Sequence, residues 1–202
     1  EDYKKLAKDS MPDWVKNIKL KGDFRLRYQW DKAKQAAAVA SERHRERIRL
    51  RLGAETKLIE QFKVGFGIAT GTANDPRSTN MTLGDSFSFK DIILDYAYGQ
   101  YDPDLSGYLP PLSVSLIGGK FPNPIWEPID MLWDGDIRPE GVAATINYKL
   151  DPDLNFFVNN GFFILDENAA DKGDPIMFVI QPGVNWKLTD NIELKGAVDN
   201  YF

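Results

Sequence analysis

The chain has 202 residues, 25 Lys and Arg against 30 Asp and Glu, a net charge of −5 and 43% hydrophobic residues. That balance excludes a disordered chain and a helical membrane bundle, argues against a general nucleic-acid binder, and with no cysteine leaves neither a disulfide framework nor a thiolate metal site. No run reaches the roughly 18 apolar residues of a transmembrane helix, a criterion that says nothing of β-barrels, whose strands alternate.

Residues 1–17, EDYKKLAKDSMPDWVKN, read as a short polar or helical segment broken at Pro12. From residue 18 to 202 the chain reads as strands. In IKLKGDFRLRYQW (18–30), Ile18, Leu20, Phe24, Leu26, Tyr28 and Trp30 share one face. Lys19, Lys21, Asp23, Arg25, Arg27 and Gln29 share the other.

The next stretch, ERHRERIRLRLGAETKL (42–58), puts arginine at 43, 45, 47, 49 and 51. On a helix, residues two apart point about 200° apart, so these arginines would scatter around the cylinder and leave no apolar stripe. A strand sorts them cleanly, because its side chains alternate faces. Ile48, Leu50 and Leu52 then oppose Arg47, Arg49 and Arg51.

Alternation continues through FKVGFGIAT (62–70), KDIILDYAYG (90–99), LSVSLIGGK (112–120) and EGVAATINYKL (140–150). In the fourth strand Ile92, Leu94, Tyr96 and Tyr98 fall on the apolar face, opposite Asp91, Ile93, Asp95 and Ala97. LNFFVNNGFFIL (154–165) is ambiguous, with aromatics on both faces. PIMFVIQPGVNWKL (175–188) alternates despite Pro182, and IELKGAVDNYF (192–202) is a ninth strand. No long helix appears.

Connections at about 31–42, 71–87, 121–138 and 166–175 are long. Those at 58–61, 151–153 and 189–191 are tight, with a moderate one at 102–111. An up-and-down meander with its tight turns at one end and long loops at the other produces this order, as outer-membrane barrels do. The apolar faces could meet a protein core, as in a soluble barrel, or lipid. Three features favour lipid. Tyr and Trp lie near strand ends (Tyr28, Trp30, Tyr96, Tyr98, Tyr101, Tyr148, Trp186), where interfacial girdles sit. The polar faces hold small residues (Gly65, Gly67, Ala69, Ala97, Gly141, Ala143). The polar faces of the first two strands are nearly all cationic, and arginine on a lipid face costs roughly 2–4 kcal/mol at the bilayer midplane. The expected fold is therefore all-β, an antiparallel up-and-down transmembrane β-barrel. Single-chain bacterial barrels have an even strand number, so about nine strands imply the N-terminal part of a larger barrel.

The run GGKFPNPIWEPIDMLWDGDIRPEGVA (118–143), with WVKNIKLKGDFRLRYQW and ERHRERIRLRLG, resembles the putative porin family of bacterial outer membranes. The matching elements are Gly119-Lys120-Phe121, Asn123-Pro124, Trp126, Leu132-Trp133-Asp134, Asp136 and Glu140-Gly141-Val142-Ala143. The resemblance implies an outer-membrane porin, a water-filled channel for passive diffusion of small polar or anionic solutes, in contact with outer-membrane lipid. Trimerisation is expected only by analogy with porins in general.

The third long loop, FPNPIWEPIDMLWDGDIRP, is too apolar to hang in water. In general porins the third external loop folds into the lumen. Here it would carry Glu127, Asp130, Asp134 and Asp136 toward Lys19, Lys21, Arg25, Arg27, Arg45, Arg47, Arg49 and Arg51. Opposed rows of charge set ion preference, and arginine cannot neutralise by losing its proton. The ladder could instead be a structural network tied to Asp23, Glu55, Asp91 and Asp95. Asp130, Asp134 and Asp136 could hold calcium, although pairing with arginine is the simpler reading. No metal or cofactor is expected. A single histidine, His44, leaves no triad, so an enzyme is not expected. A barrel sheathing a partner protein and a soluble polyanion-binding barrel are the alternatives.

Overall fold

The computed structural model describes residues 11–33, 41–129, 132–169 and 173–202. The first ten residues of the predicted polar segment lie outside that set. A single turn of helix, α1 (Asp13–Lys16), precedes the first strand. Then follow β1 (Lys19–Ala33), β2 (Ser41–Ile59), β3 (Phe62–Thr70), β4 (Met81–Thr82), β5 (Ile92–Tyr101) and β6 (Leu112–Lys120). After them come β7 (Glu140–Lys149), β8 (Leu154–Ile164), β9 (Ile176–Thr189), β10 (Ile192–Ala197) and β11 (Asn200–Tyr201).

All of them form one antiparallel sheet in the order β1-β2-β3-β5-β6-β7-β8-β9-β10. The short β4 adds to β2 beyond the end of β3, and β11 adds to β9. Nine long strands thus meander as the alternation predicts. The expected barrel is present as an open sheet, with β1 and β10 at the ends of the path. Because each strand reverses the last, all four long connections lie at one end and all four short ones at the other.

The apolar faces turn outward. Phe24 is 62% exposed, Leu26 69%, Phe66 55% and Val142 56%, all on one side of the sheet. The opposite, polar face is the covered one. It buries Asp95, Asn159 and Gln181, and against it packs a small apolar cluster of Tyr98, Phe121, Ile125, Ala143, Phe163 and Val179. The arrangement is the reverse of a soluble barrel, whose apolar face would be dry.

One strand departs from simple alternation. Gly67 pairs with Tyr96 and Ile68 with Leu94, so Asp95 is an extra residue in β5, a β-bulge. A one-residue slip moves every later side chain to the other face. Ile92 and Leu94 remain outside, but Asp95 is buried and Tyr96 and Tyr98 turn onto the polar face. Both tyrosines therefore leave the outer aromatic set in which alternation placed them, and Ala97 leaves the polar face. The rings need room there, and glycine supplies it. A Cβ on Gly67 would sit 2.4 Å from Tyr96 Cε1, and one on Gly65 2.7 Å from Tyr98 Cζ. The small residues of the third strand are explained by these two rings.

The ninth predicted strand breaks into β10 and β11 opposite Pro182. Proline has no N–H to donate. Its carbonyl still accepts the Val198 amide at 3.0 Å. In β8, Phe157 and Phe163 face the polar side and Phe156 and Phe162 the outside, which accounts for the aromatics on both faces of that stretch.

Candidate functional site

On the hairpin β1–β2, register sets Arg25 opposite Arg49 and Arg27 opposite Arg47, with Asp23 opposite Arg51 and Gln29 opposite Arg45. Like charges directly opposite each other repel, so this block needs partners. Asp23 takes Arg49 at 2.7 Å and Arg51 at 2.9 Å. Asp31 takes Arg45. Lys21 meets Glu55 at 2.6 Å, and Tyr98 donates its hydroxyl to the same carboxylate at 2.8 Å. The middle of the block is served from outside the hairpin. Arg25 donates to the Asn80 side-chain oxygen, and Arg47 donates to the Asn80 carbonyl at 2.8 Å and to Gln29 Oε1 at 3.3 Å. Arg27 and Lys19 are exposed on the polar face.

Asn80 stands in the connection 71–91, directly before β4, whose Thr82 pairs with Arg47. The sequence offered no sign of β4, since two residues are too few to show a period. Its pairing lays Ser78, Thr79 and Asn80 over the arginines.

The loop 121–139 lies across the polar face, as its apolar content predicts. Phe121 and Ile125 are buried in the cluster beneath it. At one side, Arg51 donates to Asp136 Oδ1 at 2.8 Å, while Thr79 donates its amide and hydroxyl to Oδ2, each at 3.1 Å. Arg138 Nε lies 3.4 Å from Asp95 Oδ1, an ion pair without hydrogen-bond alignment that seats the loop on the β5 bulge. At the other side, the Trp126 amide donates to Gln181 Oε1 at 2.9 Å, and Gln181 Nε2 returns a bond to the Trp126 carbonyl at 2.6 Å. Trp133 Nε1 donates to the Tyr201 hydroxyl at 3.1 Å. The loop thus touches β2, β5, β9 and β11.

Among the described acids of the loop, Asp136 confronts the cationic hairpin. Asp136 reaches Arg51. Glu127 and Asp134 turn back on the loop itself, where Glu127 accepts the Leu132 amide at 3.1 Å and Asp134 the Asp136 amide at 2.9 Å. The second is the i to i+2 bond by which aspartate side chains commonly hold their own turn. Asp130 lies outside the described residues. Among the described residues no group of three or more His, Cys, Asp or Glu gathers as a metal site would require.

Burial alone would raise the pKa of Asp136, but the Thr79 amide and hydroxyl and the charges of Arg51 and Arg49 outweigh it and hold the carboxyl below the usual aspartate range. A depressed folded-state pKa adds stability that is complete above the unfolded value of about 3.9 and lost as pH falls through the lower folded value. Acidification through the ordinary carboxylate range should therefore leave the loop seated, with release only below it. Tryptophan emission, reporting Trp126 and Trp133, should stay constant to about pH 4 and shift only under stronger acid; a transition centred near pH 6 would remove Asp136 as the anchor.

Strand-level reading found the basic residues but missed a second tract. The inner faces of β7, β8 and β9 carry Thr145, Asn147, Asn155, Asn159, Gln181 and Asn185. With the loop, all of these but the fully buried Gln181 line a cleft of about 640 Å³ that also admits Trp126, Phe157 and Lys195. The signal was present in the alternation of asparagines in NFFVNNG and in the isolated Gln181, obscured by aromatics on both faces.

No curated protein matches the chain. The model of one family does, over residues 33–202, a family described as putative porin. That span includes eight of the nine long strands whole and both connections that cover the polar face, so the chain belongs to the putative porin family.

Proposed function

We propose that this chain forms wall and constriction of a water-filled outer-membrane channel through which small polar or anionic solutes diffuse passively. The observation that carries the reading is the inversion of faces: large apolar side chains stand exposed on one side of the sheet, while amide side chains and part of the charged ones are covered on the other. Monomeric soluble proteins rarely expose contiguous apolar surface on that scale, whereas lipid requires it. Strand length agrees. β3 has 9 residues, β5 10, β6 9, β7 10 and β8 11, against the roughly 9–11 that cross a bilayer at a tilt. Family membership supports outer-membrane residence and passage of solutes without chemistry.

In this channel Lys19, Lys21, Arg25, Arg27, Arg45, Arg47, Arg49 and Arg51 line one wall, and the loop 121–139 narrows the lumen. Asp23, Asp31, Glu55 and Asp136 offset part of that charge by pairing with Arg49, Arg51, Arg45 and Lys21, so Lys19, Arg25, Arg27 and Arg47 are the excess that anions sense. Fixed positive charge in a confined aqueous path concentrates anions and excludes cations. The purified chain should require detergent and migrate as a heat-modifiable β-rich species. In planar bilayers, Arg47→Gln with Arg49→Gln should move the reversal potential toward cation preference. Unaltered selectivity in that variant removes the ladder from the mechanism.

A further inference from the structure

We propose that the cleft between the loop 121–139 and strands β7–β10 is a subsite for neutral polyhydroxylated solutes, saccharides of one to a few rings. The inference rests on the channel reading for its role in transport, and on the cleft's own chemistry for its ligand. On the sheet side its wall is made of side-chain amides, one hydroxyl and the Phe157 ring, with Lys195 as the one ionisable group from the strands, while Glu127, Asp134 and Arg138 line it from the loop and bring both signs of charge. Amides both donate and accept, as a polyol's hydroxyls do, and they give a free ion no compensating charge.

The amides are held in place for this. Asn155 Nδ2 donates to Asn147 Oδ1 at 3.3 Å, and Asn159 Nδ2 donates to Gln181 Oε1 at 2.7 Å. Asn185 Oδ1, by contrast, is buried and accepts no hydrogen bond from any described residue. A buried acceptor left open at the wall of a cleft is costly unless a ligand or water meets it.

An aromatic platform completes the site. Trp126 and Phe157 flank the ammonium of Lys195, which lies 4.8 Å and 5.1 Å from their ring centroids. Aromatic faces suit the C–H face of a pyranose, and the exposed ammonium beside them can donate to its hydroxyls. Volume agrees, since sites for small organic ligands run from roughly 300 to 1,000 Å³. The polar face is thus divided: guanidinium groups on the β1–β2 side and amides with aromatic rings on the β7–β10 side.

The test uses glucose, sucrose and raffinose as probes on the whole chain in detergent and in planar bilayers. In detergent, sucrose should change tryptophan emission saturably, and Trp126→Phe should remove most of the change while Trp30→Phe, on the outer face, keeps it. In bilayers the same sugars should lower the KCl current saturably, and Asn155→Leu or Trp126→Ala should raise the half-blocking concentration at least tenfold. Sugar effects that only follow bulk viscosity, or that survive both substitutions, overturn the proposal. So does stronger block by gluconate than by glucose that vanishes in Lys195→Gln, which would make the cleft an anion site. Absence of any current with the emission change intact would sink the channel reading and leave the saccharide site standing.

Discussion

Gln181→Leu is expected to lift the loop 121–139 off the sheet at the β9 side while leaving the strands paired. Gln181 is fully buried, and its amide serves four groups at once: it accepts from Trp126 N–H and Asn159 Nδ2, and donates to the Trp126 carbonyl and to Asp199 Oδ1 at 2.6 Å. Leucine matches its bulk but can make none of these bonds. Each buried polar group left unsatisfied costs about 1–3 kcal/mol. The loop can recover that cost by moving into water, and the strands cannot. Single-channel conductance should therefore rise, by about twofold or more if the loop is the constriction, and chymotrypsin should cut near Trp126 and Trp133 within minutes. A protected loop and unchanged conductance would show that Asp136 and Arg138 seat it alone. Gln181→Glu is the control, since it keeps the two acceptor roles while placing a second carboxylate beside Asp199.

Gly141→Ala is expected to do worse and to act on the sheet itself. Gly119 and Gly141 face each other in register where the loop leaves β6 and rejoins at β7, with φ of +120° and +136°. Only glycine enters that region freely, and a residue forced there costs on the order of 1–3 kcal/mol. Backbone would also collide with the new atom: a Cβ at 141 would sit 2.2 Å from the Phe162 carbonyl oxygen, and one at 119 would sit 2.4 Å from that of Ala97. Carbonyls in a ladder cannot swing aside as a side chain can. The heat-modifiable folded band should fall sharply for Gly141→Ala and Gly119→Ala, and remain for Gly173→Ala, where a Cβ meets nothing within 4 Å.

Strand by strand, most of this fold can be read from the sequence, because period-2 alternation between apolar and charged residues is a strong local signal when one face meets hydrocarbon and the other water. The nine long strands and the sorted lengths of their connections follow from it, and the apolar residues of the loop 121–139 foretell that it packs. Four things escaped. The β5 bulge turned Tyr96 and Tyr98 inward, and a slip of one residue leaves no mark in composition. β4 is too short to have a period, so its delivery of Asn80 to Arg25 and Arg47 could not be foreseen. The acids of the loop were counted as one group, but spacing does not distinguish an acid that caps its own backbone, as Glu127 and Asp134 do, from one that crosses to a neighbour, as Asp136 does. The amide tract was hidden for a different reason. Its members come from separate strands, and only pairing assembles them.

The extra residue in β5 constrains how such a chain can drift in length. Deleting Asp95 would heal the ladder and keep Tyr96 and Tyr98 on the polar face, because Leu94 and Tyr96 already pair with the adjacent residues Ile68 and Gly67. What it would remove is the counter-charge of Arg138. A residue gained or lost between 96 and 101 would instead turn every later side chain of the strand to the other side. A lineage without residue 95 should therefore keep the glycines at 65 and 67, on which the two rings lie, and lose the cation at 138.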